Sequence, residues 1–332
     1  MNSKFIIAVD AMGGENSPKK VIDGIINFSK NKNDIFFKIF GNKQIIEKNI
    51  SNNLNKDNFQ IIHTDEFVKD EDTPLMGAKN KKTSMWLAVE SVKNKESDII
   101  VSAGNTGALF VIAKLNLEMI EKIEKPALSG LWPNKNGMNV VLDLGANIEC
   151  SEKNLVDFSI MGTSLFKALF PNEEPKVALL NIGSEASKGN EIIKNTYNKL
   201  STLSKNINFK GYVEGNNIMS GDVNVIVTDG FTGNIALKTA EGTSNFITTE
   251  LKKILTSNFM GKVSTFINMK NLKIFKNKLD PRKYNGAILI GLKSPVVKSH
   301  GSTDSIGFSN SLSVCEKILK GKLIEKIKEN ID

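Results

Sequence analysis

At 332 residues the chain is long enough for about two average domains or for one large open α/β sheet. Hydrophobic residues at 40% and charged residues at 24% are the proportions of a soluble globular chain, which excludes intrinsic disorder, and no apolar stretch reaches the ~18 residues of a membrane span. Lys and Arg total 44 against 36 Asp and Glu, a formal charge of +8, yet Arg282 is the only arginine, and a lysine excess argues against sequence-specific nucleic-acid reading, which favours the planar guanidinium fork.

Met1 to Lys4 run straight into an apolar stretch with none of the marks of a secretory leader, and a cytoplasmic location is expected. From there one pattern recurs along the chain: FIIAVDAMGGENSPKKVIDGII (5–26), DIIVSAGNTGALFVIA (98–113), NVVLDLGANIEC (139–150), VALLNIGSEASKGNEII (177–193) and VNVIVTDGFTGNIALKTA (223–240). Each is a short unbroken apolar run followed by a glycine-rich polar loop, and most lead into a helix-like segment. Unbroken runs read as parallel strands buried on both faces, and the segments between them as crossover helices. The expected fold is a doubly wound three-layer α/β/α sandwich formed by residues 1–332 as one domain. In the first unit Ser17 is expected to cap a helix that Pro18 begins.

Ligands of such sheets bind beyond the carboxyl ends of the strands, so the five loops are expected on one rim. Glycine lets backbone N–H groups approach an anion, and a following helix N-terminus adds partial positive charge. The candidate binding residues are Asp10, Gly13, Gly14, Gly104, Asn105, Thr106, Gly107, Asp143, Gly145, Asn181, Gly183, Asp229, Gly230 and Gly233, with Asn147, Lys188 and Asn234 among the side chains that could act in chemistry. Carboxylates repel phosphate, so Asp10, Asp143 and Asp229 are expected to orient lysines or to hold loop N–H groups. Lys81 and Lys82 face an anionic ligand or form a solvated helix face. His63 reads as a strand-end or surface residue, whereas His300, in VVKSHGSTDS, is a site candidate or a plain loop residue. Residues 251–279 hold seven lysines and no acid, with apolar residues at helical spacing, and a basic hairpin over residues 240–280 with a bend at Gly261 is expected. It suits an acidic protein partner or an anionic membrane, with Phe259, Met260, Phe266 and Ile267 at the contact, or a dimer interface.

No nucleotide P-loop, G-x-G-x-x-G, G-x-S-x-G or H-E-x-x-H motif occurs. Cys150 and Cys315 form no Cys-x-x-Cys pair, and two histidines build no histidine-rich metal site; no metal and no organic cofactor is expected.

The blocks IAVDAMGGENSP, KKTSM, VSAGNTGAL, LDLGANIEC, LLNIGSEASKGNE, VTDGFTGNIALKTAEG and KSHGSTDS, in this order over nearly the whole chain, resemble the bacterial phosphate acyltransferases of phospholipid synthesis. Glu15 stands where that family more often has Asp, and GSTDSIG where GSSDAKA is common. The resemblance implies transfer of a fatty acyl group from acyl carrier protein to inorganic phosphate and an isopropylmalate dehydrogenase-like fold. It also implies a homodimer packed partly through the hairpin, whose tip makes peripheral membrane contact. The acyl phosphate would pass to a membrane glycerol phosphate acyltransferase.

That reaction is compatible with the residues. Phosphate is already an anionic nucleophile, and the thiol of the leaving group has a pKa of about 8.5, so neither a serine relay nor strong protonation is required. Placing phosphate and stabilising the tetrahedral oxyanion are the remaining tasks. Gly104, Asn105, Thr106 and Lys188 are the expected phosphate contacts, and Asn147, Asn234 or His300 serve the carbonyl oxygen or proton transfer. Lys81 and Lys82 then face phosphate or the carrier's phosphopantetheine. The competing readings are a phosphotransacetylase-type enzyme on short acyl coenzyme A, a metal- and NAD-dependent decarboxylase, which one arginine serves poorly, and a non-catalytic carrier- or lipid-binding scaffold.

Overall fold

The computed structural model describes residues 4–30, 32, 34–50, 54–203 and 207–331. Residues 1–3, the start of the stretch expected to lead straight into the first strand, lie outside them. The chain forms β1 (Phe5–Asp10), α1 (Lys19–Ser29), β2 (Ile35–Gly41), α2 (Lys43–Asn49), β3 (Phe59–His63), α3 (Pro74–Gly77), α4 (Ser84–Lys93), β4 (Ile99–Ser102) and α5 (Thr106–Asn116). It continues through β5 (Ala127–Pro133), β6 (Met138–Leu142), α6 (Glu152–Leu169), β7 (Lys176–Asn181), α7 (Glu191–Thr202), β8 (Asn208–Glu214) and β9 (Val225–Val227). Helices α8 (Gly230–Thr256), α9 (Phe259–Ile267) and α10 (Met269–Lys278) follow, and β10 (Ala287–Ile290), β11 (Val296–Lys298), α11 (Ser305–Lys320) and α12 (Leu323–Ile331) close the chain.

All described strands join one sheet in the order β3-β2-β1-β4-β11-β10-β5-β6-β9-β7-β8. The five apolar runs are β1, β4, β6, β7 and β9, and the reason they are unbroken is visible in β1. Ile7 and Val9 pack into one hydrophobic cluster with Ile25 and Phe308, while Ala8 enters another with Val89 and Leu109. Helices cover both faces, so neither set of alternate residues meets water.

The directions of the strands correct one expectation. β4 and β11 are parallel, but β11 to β10, β10 to β5 and β5 to β6 are each antiparallel. Three reversals leave β6 and its parallel partners β9 and β7 pointing opposite to β1 and β4. The five glycine loops therefore do not share one rim. Those after β1 and β4 lie at one end of the sheet, and those after β6, β7 and β9 at the other.

Two local expectations also change. Ser17 does not cap α1; its hydroxyl donates to the Gly13 carbonyl at 2.6 Å, and Pro18, after a cis peptide bond, occupies the cap position. Gly261 lies inside α9, and the chain turns instead at Asn258, whose side chain accepts from the Gly261 N–H, and at Asn268. In α8 only Gly230 and Gly233 are buried, and α9 and α10 bury nothing.

Candidate active site

At the first sheet end, Asp10 closes β1 with its carboxylate buried. It accepts from the Ser84 hydroxyl at 2.7 Å and the Ser102 hydroxyl at 2.6 Å, which ties the ends of β1 and β4 to the start of α4. Burial pushes its pKa upward, against the pull of those hydroxyls. A Cβ on Gly13 would lie 2.6 Å from the Gly104 Cα, so the first and second loops touch through backbone alone. Of the expected roles, orienting lysines or holding loop N–H groups, Asp10 accepts one loop N–H, that of Met12 at 3.3 Å, and its main partners are the two serine hydroxyls.

Asn105 caps α5, its side-chain oxygen accepting from the Ala108 N–H at 3.0 Å. Its amide donates to the Asp72 carbonyl at 2.8 Å and the Asp70 carbonyl at 3.1 Å. With both amide hydrogens engaged, Asn105 cannot be the side-chain anion donor it was expected to be; it fixes the loop instead. Thr106, exposed at the first position of α5, makes no side-chain hydrogen bond among the described residues. Lys81 and Lys82 are exposed in the turn before α4, not on a helix face, with the Lys81 Nζ 5.6 Å from the Trp86 ring centre.

At the second end, the buried Asp143 carboxylate organises the loop after β6. One oxygen accepts from the backbone N–H groups of Leu128, Gly145 and Ala146, the other from the backbone and side-chain amide of Asn147, each at 2.8 Å. The second amide hydrogen of Asn147 goes to the Pro126 carbonyl at 2.7 Å, and the Asn147 carbonyl accepts from the Gly230 N–H. Asn147 is a structural clamp. Asp229 caps α8 by accepting from the Thr232 N–H and hydroxyl, both at 2.8 Å. Asn181 donates to the Gly183 carbonyl, and Lys188, exposed, folds back over Gly183 within its own loop. Asn234, exposed on α8 beside Gly145, is uncommitted among the described residues.

A cleft of about 250 Å³ brings the two ends together. Thr106 and Gly107 at the start of α5 share it with Gly145 and Ala146, across an apolar floor that includes Leu109, Phe110, Leu128, Leu289 and Val296. Lys298, the last residue of β11, also lines it. His300 is exposed beyond Lys298; its Nδ1 pairs with the Ser302 hydroxyl at 3.0 Å, and the charges of Lys238 and Glu241 on α8 reach it. The residue is exposed overall, but its ring is partly desolvated against the protein; that first, and then Lys298, push the His300 pKa down, which leaves the ring neutral near pH 7.

Sequence reasoning missed Lys298 and Lys20. Nζ of Lys20 donates to the Gly301 carbonyl, and Nζ of Lys298 to the Ser299 carbonyl. In a chain this rich in lysine neither stands out, and only the fold of α1 onto the loop after β11 joins them. His63 ends β3 exposed, its Nδ1 accepting from the Lys43 N–H, as expected. Phe259, Met260, Phe266 and Ile267 are all more than 70% exposed on α9.

The chain matches the model of a family described as "Fatty acid synthesis protein" over residues 5–326. It is 67% identical over 332 residues to a phosphate acyltransferase of Pelagibacter ubique, with 99% of each chain covered. To a phosphate acyltransferase of Rhodospirillum rubrum it is 39% identical, covering 100% of this chain and 95% of the relative. Among solved structures it resembles a phosphotransacetylase from Streptococcus pyogenes, with a TM-score of 0.65 at 14% identity over 97% of this chain and 94% of that one. It also resembles a 4-hydroxythreonine-4-phosphate dehydrogenase from Klebsiella pneumoniae, with a TM-score of 0.54 at 13% identity over 95% and 99% of the two chains. Both likenesses concern the three-layer α/β/α fold.

Proposed function

The chain belongs to the family of phosphate acyltransferases, enzymes that transfer an acyl group to phosphate, and from that premise we propose that it moves a long fatty acyl group from acyl carrier protein to inorganic phosphate for phospholipid synthesis. The observation that carries the reading is the cleft: an apolar floor suited to an alkyl chain, with Thr106, Gly107 and Lys298 as its polar lining. A phosphate oxygen attacks the thioester carbonyl carbon, the O–C bond forms, and the C–S bond breaks with its electron pair leaving on the carrier sulfur. Asn234 is the proposed donor to the developing oxyanion, because its amide is uncommitted and stands beside the Gly145 loop. His300, exposed two residues beyond Lys298, is the proposed hydrogen-bond partner of the leaving thiolate.

The exposed faces of α8 and α9 extend the proposal. The long apolar face of α8 suits packing against a second copy of the chain, and the exposed Phe259, Met260, Phe266 and Ile267, set among lysines, suit peripheral contact with an anionic membrane. Acyl carrier protein, an acidic partner, suits the same basic surface. The acyl phosphate would then serve a membrane glycerol phosphate acyltransferase. No helix among the described residues is long and apolar enough to cross a membrane.

The test is release of free thiol from palmitoyl acyl carrier protein with and without phosphate, with hydroxylamine trapping the product. Phosphate-dependent release with trapped acyl hydroxamate is expected. Activity confined to acetyl coenzyme A would assign a short-chain phosphotransacetylase, and inactivity with both donors would favour a binding scaffold.

A further inference from the structure

Two ammonium groups flank the backbone around Ala103 and Gly301 at the first sheet end, and neither forms an ion pair among the described residues. Nζ of Lys298 lies 3.4 Å from the Ala103 carbonyl oxygen. Nζ of Lys20 arrives from α1, a helix at the far side of the same loop. Gly14 shows how close they are: a Cβ there would stand 2.6 Å from the Ala103 oxygen and 2.9 Å from the Lys20 Nζ. The missing side chain of Gly14 thus leaves room for the Lys20 ammonium beside the carbonyl that Lys298 approaches.

The nearest carboxylates do not neutralise them. Asp10 is occupied by the Ser84 and Ser102 hydroxyls, and Glu15 and Asp70 act only from a distance. Their partners are carbonyl oxygens, which satisfy hydrogen-bond donors but leave two like charges facing each other with reduced solvation. That arrangement is unfavourable by itself and becomes favourable when a dianion enters. Lys298 also shares the cleft with the free hydroxyl of Thr106 and with Gly107, at the N-terminus of α5. Lys298 therefore lines the polar end of the cleft itself, and Lys20, buried behind it against the Gly301 carbonyl, places a second cation within electrostatic reach.

We infer that Lys20 and Lys298 hold the inorganic phosphate, one ammonium to each side, with Thr106 closing the cradle from α5. This rests on the reading of the protein as an acyltransferase to phosphate, and it names the residues that bind the acceptor. It also fixes a polarity for the site: phosphate on the β1, β4 and β11 side, the acyl thioester along the apolar floor toward Gly145 and α8.

Lys20→Gln, Lys298→Gln and Lys298→Arg test it by two readouts on the full chain. The first is thiol release with phosphate varied at fixed palmitoyl acyl carrier protein, and then the reverse. Each Gln variant is expected to raise the phosphate KM about tenfold while changing the donor KM less than about twofold, and the Arg variant to recover most of the loss. The second readout is the rise in Tm produced by inorganic phosphate without acyl donor, present in the native protein and lost in both Gln variants. A raised donor KM with unchanged phosphate KM would overturn the inference and give the lysines to the carrier's phosphopantetheine phosphodiester. Unchanged kinetics and an unchanged phosphate-dependent Tm rise would overturn it outright. If the native protein releases no thiol at all, the functional reading fails, while the Tm rise and its loss in the variants still decide the anion site.

Discussion

The Asp143 carboxylate and the Asn147 amide form a closed pair at 2.8 Å, and the same carboxylate oxygen accepts the Asn147 backbone N–H. With Leu128, Gly145 and Ala146 on the other oxygen, one buried side chain sets the whole wall of the cleft opposite α5. Asp143→Asn keeps the volume but turns an NH₂ group toward N–H donors. A loss of about 2–3 kcal/mol in urea unfolding is expected, since several donors lose their acceptor at once. A variant as stable as the native chain would show that the loop holds itself.

Asn105 separates capping from clamping. Asn105→Asp retains the acceptor for the Ala108 N–H but has no amide hydrogen for the Asp70 and Asp72 carbonyls; Asn105→Ala loses both. The Ala variant is expected to lose about 1–2 kcal/mol, and the Asp variant, which keeps the cap but turns a carboxylate oxygen toward two carbonyls, at least as much, both with faster hydrogen exchange in residues 70–74. Equal exchange in all three proteins would mean that the side chain does not restrain that loop.

Glycines on α8 give opposite signs. A Cβ on Gly233 would stand 1.9 Å from the Asp143 carbonyl oxygen, whereas nothing lies within 4 Å of one on Gly242. Gly233→Ala is expected to push α8 off the loop after β6, lowering the unfolding free energy by about 3 kcal/mol and activity with it. Gly242→Ala, in an exposed helix interior, is expected to stabilise by about 0.5–1 kcal/mol. A tolerated Gly233→Ala would show that the two elements are not in register contact in solution.

Phe259 and Phe266 are 77% and 74% exposed among lysines. Replacing both with Ser removes apolar surface without a core to collapse. The double variant is expected to sediment less with vesicles containing anionic lipid while keeping its turnover in solution. Unchanged sedimentation would remove the tip of the excursion from any membrane role.

The strands were legible because parallel strands buried on both faces have no polar positions, and each apolar run became one. Strand direction was not. It is set by β5 and β10, whose sequences ALSGLWP and AILI carry no local mark of antiparallel pairing, and by contacts between residues such as Ser129 and Ile288 far apart in the chain. The turn roles of Asp10, Asp143 and Asp229 followed from the cost of a carboxylate beside an anion. Which asparagines were free did not follow, because Asn105 and Asn147 spend their amides on carbonyls of other segments. Lys20 and Lys298 needed the fold as well: a motif scan looks for local spacing, and they are joined only where α1 meets the loop after β11.

Lys298 makes the phosphate site sensitive to pH. Burial first, and then Lys20 on α1, pull its pKa from the ordinary 10.5 to about 8, while Asp70 ahead of α3 and Asp10 on β1 pull the other way. His300 in the same loop, neutral near pH 7, adds no fixed charge. Between about 8 and 10.5 the unfolded chain holds a proton that the folded chain has released, so this group makes stability rise with pH across that window. Phosphate binding runs the opposite way, because the neutral amine no longer attracts an anion. The phosphate KM is therefore expected to climb as pH passes about 8 and to level off at about the tenfold loss expected of Lys298→Gln, with the donor KM flat. In Lys298→Arg the guanidinium stays charged through this range, so the climb should be absent. Measuring the phosphate KM from pH 7 to 9.5 in both proteins separates the effect from general loss of activity, and superimposable profiles would mean that the Lys298 charge does not contribute to phosphate binding.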